Sequence, residues 1–285
     1  MSHTREPNAL CGVGRFEGVE AEDALSVLTR TSDLPDAVVR YGNHAEAIID
    51  IHLPPHLGPD PLPESPLVVL LHGGFWRVEY DRVHTRPLAE ALAREGFVVA
   101  TPEYRRVGGA GNLAGGFPAT FDDVRAAMDS LPGLLDELDI TTARTTVMGH
   151  SAGGHLALWL ANEPHPVDRV VGLAPVGDLR AAARNGVGGT AVPDLLGGSP
   201  DEVPERYDAA DPAVRLATEP SCDLIVIHGA EDLVVPIDNS RGLESRHRFV
   251  VMCELDGIEH FDVIDPLSDA WPVVRAAAAA ELLPL

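Results

Sequence analysis

The stretch Thr145-Thr146-Val147-Met148-Gly149-His150-Ser151-Ala152-Gly153-Gly154-His155-Leu156-Ala157-Leu158-Trp159 constrains this chain more than any other. Its first four residues are β-branched or apolar and predict a buried strand. Leu156 to Ala161 are mostly good helix formers and predict a buried helix. Between them, Gly149-His150-Ser151-Ala152-Gly153 fits the pattern G-x-S-x-G. A serine on so sharp a turn needs neighbours without side chains, because strand and helix pack closely around it. The turn lifts the Ser151 hydroxyl above a sheet. It also aims the N–H of Ala152 at an incoming carbonyl oxygen, with the helix N-terminus behind it. The bare five-residue pattern can arise by chance; the strand before it and the helix after it make it specific.

Such a turn needs a core to brace it. The chain has 285 residues and is 45% hydrophobic, enough for one large domain or two small ones. A net charge of −23 argues against nucleic acid and anionic membranes as partners. Every basic residue is Arg, which reads as coding bias rather than mechanism. Cys11, Cys222 and Cys253 are odd in number and lack C-x-x-C spacing, so neither a disulfide framework nor a structural zinc site is expected. No His, Asp, Glu or Cys cluster has metal spacing. Met1 to Leu10 is polar, and no apolar run approaches a membrane span. The expectation is a soluble, cytoplasmic protein acting on a small molecule without a cofactor. Its oligomeric state stays open, a homodimer included.

Taken in order, residues 1–44 read as a polar packing arm with a short helix over Ala21 to Thr31, and residues 45–285 as one domain. Ala45 to Leu53 reads as an early strand and Pro54 to Pro66 as a proline-rich loop. Leu67 to Leu71 is a continuous apolar run, as expected of a strand buried on both faces. It leads straight into His72-Gly73-Gly74-Phe75-Trp76. A helix near Thr85 to Arg94, a strand over Gly96 to Thr101 and a long helix over Phe117 to Leu138 follow, the last two separated by a Gly-rich loop over Gly108 to Gly116. That loop lacks both G-K-[ST] and G-x-G-x-x-G, so phosphate binding is not its reading. Beyond the serine segment come a strand over Arg169 to Ala174 and a Gly-, Pro- and Ala-rich excursion over Gly177 to Thr218. The excursion is too long for a plain connection and is expected above the sheet with little core of its own. A strand over Cys222 to Ile227, a helix over Asn239 to His247, a strand over Phe249 to Leu255 and a closing helix over Pro266 to Leu283, broken or restarted at Pro272, complete the chain. Alternating strands and helices predict a mostly parallel sheet covered on both faces.

Hydrolysis by a serine needs a base for its proton, a carboxylate to orient that base, and donors for the oxyanion. Four loops qualify, each directly after a predicted strand, where sites on open α/β sheets lie. They carry Gly73 and Gly74, Ser151, Asp232, and His260. His260 is the expected base and Asp232 the expected acid, with adjacent Glu231 as its rival. Asp262 and Asp265 lie nearer His260 in sequence but are expected to solvate or cap the last helix. Gly73, Gly74 and Phe75 are expected to join Ala152 in an oxyanion hole. Phe75 and Trp76 either line the substrate pocket or pack inward. His72 and His150 read as structural, His155 as a satisfied helix histidine, and Trp159 and Trp271 as core.

The order Ser151, Asp232, His260 resembles that of the α/β-hydrolase superfamily, over roughly residues 45–283. Within it, His72-Gly73-Gly74-Phe75-Trp76 together with Gly149 to Ala157 resembles the arylformamidase (kynurenine formamidase) group and its esterase relatives, whose H-G-G-x-W loop Trp76 matches. Tyr207-Asp208-Ala209-Ala210-Asp211-Pro212 resembles a segment of the lid region of such esterases. The resemblance implies an α/β-hydrolase fold with a small lid-like insertion at about 177–218. It also implies Ser151 as nucleophile, Asp232 and His260 as its partners, an oxyanion hole at Gly73 and Gly74, and no cofactor. The expected activity is hydrolysis of small carboxylic esters or N-formyl aryl amides through an acyl-enzyme. The alternatives are a binding protein that kept the fold and lost the chemistry, and a small peptidase of prolyl-oligopeptidase type.

Overall fold

A computed structural model describes residues 26–55 and 64–279. Eight strands form one sheet: β1 (Ala37–Arg40), β2 (Ile48–His52), β3 (Ser65–Leu71), β4 (Val98–Pro102), β5 (Thr142–His150), β6 (Arg169–Leu173), β7 (Asp223–Gly229) and β8 (Val250–Leu255). Their order across the sheet is β1-β2-β4-β3-β5-β6-β7-β8. β1 and β2 run antiparallel to their neighbours, and all later pairings are parallel. From β3 the chain moves outward to β4 and then returns to β5 on the other side of β3. That reversal opens a crevice at the carboxyl ends of β3 and β5.

Successive side chains of a strand face opposite sides of the sheet, so each parallel strand feeds two cores. Leu67, Val69 and Leu71 of β3 belong to one cluster, while Val68 and Leu70 belong to the other. The larger cluster lies under α2 (Ala119–Glu137), α3 (Ala152–Leu160) and Leu243 of α8 (Asp238–Arg246). The smaller lies under α1 (Arg86–Arg94) and α9 (Trp271–Ala279). Every residue of α3 is buried, which is why its sequence shows no polar face.

Several expectations meet a different outcome. The arm contributes β1 as an edge strand, and the expected early helix is a 3₁₀ turn at Ser26–Thr29, with residues 21–25 outside the described ones. The closing helix starts at Trp271, at the restart expected by Pro272 and not at Pro266; Pro272 stands in its first turn, where its missing N–H costs no helix bond. Its residues beyond 279 lie outside the described ones. The excursion forms α4 (Leu179–Asn185), α5 (Ala191–Leu196), α6 (Pro204–Ala210) and α7 (Pro212–Arg215). Leu179, Val192, Leu195, Leu196, Tyr207 and Ala210 are buried in the larger cluster, so the short helices are anchored by the same apolar contacts as the sheet.

Candidate functional site

The register pairs Leu71 of β3 with Gly149 of β5, which sets Gly73 beside Ser151. A Cβ on Gly73 would lie 3.2 Å from Ser151 Cβ. Ser151 has φ 54° and ψ −115°, a left-handed conformation that costs a side-chain-bearing residue about 1–3 kcal/mol. The surroundings enforce it. Ser151 N–H donates to Leu173 O of β6 at 2.8 Å, and its own carbonyl accepts from His155 at 3.0 Å. The flanking glycines are needed for clearance: a Cβ would lie 2.2 Å from Gly153 O at Gly149, and 2.1 Å from Leu71 O at Gly153. Ala152 opens α3, so its N–H has no acceptor within the helix.

After β3 the backbone takes three successive left-handed residues, Gly74 (φ 106°), Phe75 (53°) and Trp76 (56°). Among the described residues, no group accepts the N–H of Gly74 or of Phe75. The turn sends the two rings apart. Trp76 is 1% exposed, edge-on to His155 at 5.1 Å, and part of the larger core. Phe75 is half-buried and covers Gly188 in the excursion. The ring of Tyr80, 47% exposed, lies over Gly74.

Asp232 and His260 meet across the ends of β7 and β8, with His260 Nδ1 2.6 Å from Asp232 Oδ2. The other carboxylate oxygen accepts the N–H groups of Val234 and Val235, each at 2.8 Å. Burial pushes the Asp232 carboxyl up. Hydrogen bonds from His228, His260 and the Val235 backbone, with the charge of His260, outweigh that and hold it below the usual carboxylate range. Glu231, the rival, is exposed. His150, beside the serine, has Nε2 2.9 Å from His260 O and its ring 4.6 Å from the His260 ring. Burial, then the neighbouring His260, drives the His150 pKa well down, so it is a neutral donor to that carbonyl. The end of β5 thereby holds the His260 backbone beside Ser151. Among the described residues no hydrogen bond joins Ser151 Oγ to the His260 ring. Such contacts often tighten only when substrate binds.

One buried acid here, Glu103, was not singled out from the sequence. Glu103, after β4, lies 2.8 Å from His72 Nε2 and accepts the Arg82 N–H at 3.0 Å. Burial pushes the Glu103 carboxyl up, but His72, Arg106 and the Arg82 N–H bring it down to about 2. Asp262 accepts the Glu259 N–H at 2.7 Å, and Asp265 accepts from Arg30 and Leu267, so the two acids brace the turn that follows β8 instead of capping α9. His155, expected as a satisfied helix histidine, is only half so: Nε2 donates to Ala210 O at 3.0 Å, while its buried Nδ1 has no partner among the described residues. Among the described residues, no group of His, Cys, Asp and Glu is arranged to hold a metal ion, and no helix is long and apolar enough to cross a membrane.

A sheet of this order with a strained serine between β5 and α3 is the α/β-hydrolase fold, and solved structures agree. A truncated carbohydrate esterase from gut microbiota superposes with a TM-score of 0.73 at 19% identity, covering 88% of this chain and 98% of its own. Esterase B from Lactobacillus rhamnosis, inhibited by a C4-C4 SN3 tributyrin phosphonate, superposes with a TM-score of 0.71 at 16% identity, covering 90% and 91%. The chain belongs to the BD-FAE family, whose model matches residues 49–246. It is also 26% identical over 254 residues to Esterase LipC of Mycobacterium tuberculosis, covering 80% of this chain and spanning 60% of that relative's length.

Proposed function

We propose that the protein is a serine hydrolase of small carboxylic esters. The observation that carries this is the 2.6 Å contact of Asp232 with His260, whose backbone is held by the residue next to a strained Ser151. With Nδ1 committed to Asp232, Nε2 of His260 is the ring nitrogen left for the serine. Ser151 Oγ attacks the ester carbonyl as its proton passes to His260 Nε2. The carbonyl oxygen gains negative charge and draws on the N–H groups of Ala152, Gly74 and Phe75. Collapse breaks the C–O bond, and His260 returns the proton to the departing alcohol. Water then repeats the sequence on the acyl-enzyme: His260 takes its proton, and the acid leaves as Ser151 is restored. The family and the esterase relatives support the ester reading. N-formyl aryl amides are the second substrate class, carried by the H-G-G-x-W loop alone.

Short acyl groups should be favoured, since Ser151 is only 2% exposed and Gly73 adjoins it directly. The test uses p-nitrophenyl acetate, p-nitrophenyl octanoate and N-formylkynurenine, with fluorophosphonate labelling of wild type and Ser151→Ala. Wild type should label and cleave acetate fastest, and Ser151→Ala should do neither while keeping its thermal unfolding temperature. Labelling and turnover that survive in Ser151→Ala would remove Ser151 as nucleophile and overturn the reading; a wild type that neither labels nor cleaves would leave the non-catalytic binding protein in its place.

A further inference from the structure

His228 ends β7 one residue before Gly229 and is fully buried. Nothing in the proposed reaction uses it, yet both of its ring nitrogens are engaged. Nε2 lies 2.9 Å from Val235 O and 3.1 Å from Asp232 Oδ2. Nδ1 lies 2.7 Å from Ser240 Oγ of α8. Two acceptors at Nε2 require the proton there, and a serine hydroxyl can donate to the bare Nδ1. The two acceptors at Nε2 thus fix one neutral tautomer, and the Ser240 hydroxyl satisfies its bare Nδ1.

We propose that His228 is a positioning residue for the reaction: locked by Ser240, it supplies a second N–H to the Asp232 oxygen that receives His260. The inference rests on the serine-hydrolase reading above. Its physical content is a shared oxygen. Asp232 Oδ2 accepts from His260 at 2.6 Å and from His228 at 3.1 Å, while Oδ1 accepts from Val234 and Val235. Four donors on one carboxylate leave it a single orientation. The His228 N–H also draws charge away from the face that His260 uses. Without it, Asp232 would present a fuller negative charge to His260, and the protonated form of His260 would be favoured. The other groups against His260 are the neutral His150 from β5 and, on its own loop, Phe261; the acids Glu259 and Asp262 flank it in sequence. His84 is a further titratable group near His150; burial, then the adjacent His72, brings it down to about 4, so it is neutral in the working range.

The experiment compares His228→Leu, which removes the donor, with His228→Gln, whose terminal amide can reach the place of Nε2. kcat, KM and the pH profile of kcat/KM are measured on p-nitrophenyl acetate. His228→Leu should lose roughly tenfold to a hundredfold in kcat with KM within twofold, a loss of the size expected when the orientation of a base is loosened. Its acid limb should move to higher pH by roughly half a unit or more. His228→Gln should recover most of kcat and return the limb towards wild type. A merely structural role would leave the limb where it is in every folded variant. Should His228→Leu fail to fold, Ser240→Ala carries the test. It removes the hydroxyl that anchors Nδ1 and loosens the ring against Asp232, so the limb should shift the same way by less. An unmoved limb in the folded variants, or a His228→Gln no better than His228→Leu, overturns the proposal. Ser151→Ala, assayed alongside, keeps the two ideas apart: if it stays active the hydrolase reading itself fails, and if it is dead while His228 variants behave as wild type only the positioning role fails.

Discussion

A buried His-Gly follows β3, as His72-Gly73, and ends β7, as His228-Gly229, at the same carboxyl edge of the sheet. The two histidines live in opposite electrostatic settings. His72 has an acceptor at each nitrogen, Gly73 O and Glu103 Oε1, both at 2.8 Å, which is the arrangement of a doubly protonated ring. Around Glu103 stand Arg82 and Arg106, and Arg82 and Arg86 meet the buried Asp50. His228 instead completes a neutral chain from Ser240 to Asp232. One dipeptide thus serves two ends. Charge holds the loop that would receive the oxyanion, and a neutral relay holds the acid. What differs is the neighbour: β4 delivers Glu103 to the first, and α8 delivers Ser240 to the second. The glycines differ less. Gly73 makes room for Ser151, and Gly229 for Ile258 O, 2.1 Å from where its Cβ would be.

The comparison breaks most visibly at its acid. Asp232→Asn should lower kcat by about 10⁴, since the amide favours the wrong His260 tautomer, whereas Glu231→Gln should stay within twofold. Steady-state kinetics on p-nitrophenyl acetate reads both, and a larger loss in Glu231→Gln would move the acid assignment. On the charged side, Glu103→Gln leaves His72 and two arginines short of a buried partner and should cost about 3–5 kcal/mol in urea unfolding. Ser240→Ala on the neutral side should cost only about 1 kcal/mol. Equal costs would erase the distinction drawn between the two ends. Trp76→Ala should also lose about 3–5 kcal/mol, but the acetate-to-octanoate ratio should hold, because the ring is packed in the core. A changed ratio would place that ring in the substrate pocket.

Acid should act first on a buried helix histidine and then on the charged end. Burial, as its main cause, lowers His155 from 6.5 to about 4. Between those values the unfolded chain binds a proton that the folded chain does not, so stability is full above 6.5 and falls as pH drops towards 4, by about 3 kcal/mol. Glu103 follows: its folded value of about 2 lies below the unfolded 4.5, so its contribution is present above 4.5 and lost towards 2. His84, also lowered to about 4, and His150, driven well down, act in the same window, so His155→Phe should reduce the first stage of a urea–pH series without removing it and spare the second. A wild-type series that is flat from pH 7 to 5 would contradict this.

Much of the fold could be read before any coordinate. Leu67 to Leu71 and Thr145 to Met148 are β-branched or apolar without interruption, and a run of that kind has no stable home except a doubly covered strand. Ser151, Asp232 and His260 stand out as candidates because each lies in the loop that follows a predicted strand. Glu103 and Ser240 were not, since their partners His72 and His228 are brought to them by strand order and helix packing, which local pattern does not encode. His150 showed its position but not its task, which depends on the carbonyl of a residue 110 positions away. The direction of Trp76 turned on two consecutive left-handed residues that no propensity favours. The sequence carries one signal of both histidines: the His-Gly that follows β3 recurs at the end of β7.

The clearances around the serine also divide the chain for anyone who would vary it in the laboratory. At Gly149, Gly153 and Gly229 the nearest obstacle to a methyl group is a backbone oxygen within 2.2 Å, and no rotamer change elsewhere can move it aside. Gly133 and Gly242 sit in α2 and α8 with nothing within 4 Å of the same methyl. A randomised library should hold the first three constant and spend its diversity elsewhere. Alanine at the last two should raise stability by about 0.5–1 kcal/mol each, a reserve against which riskier changes near the site can be tried.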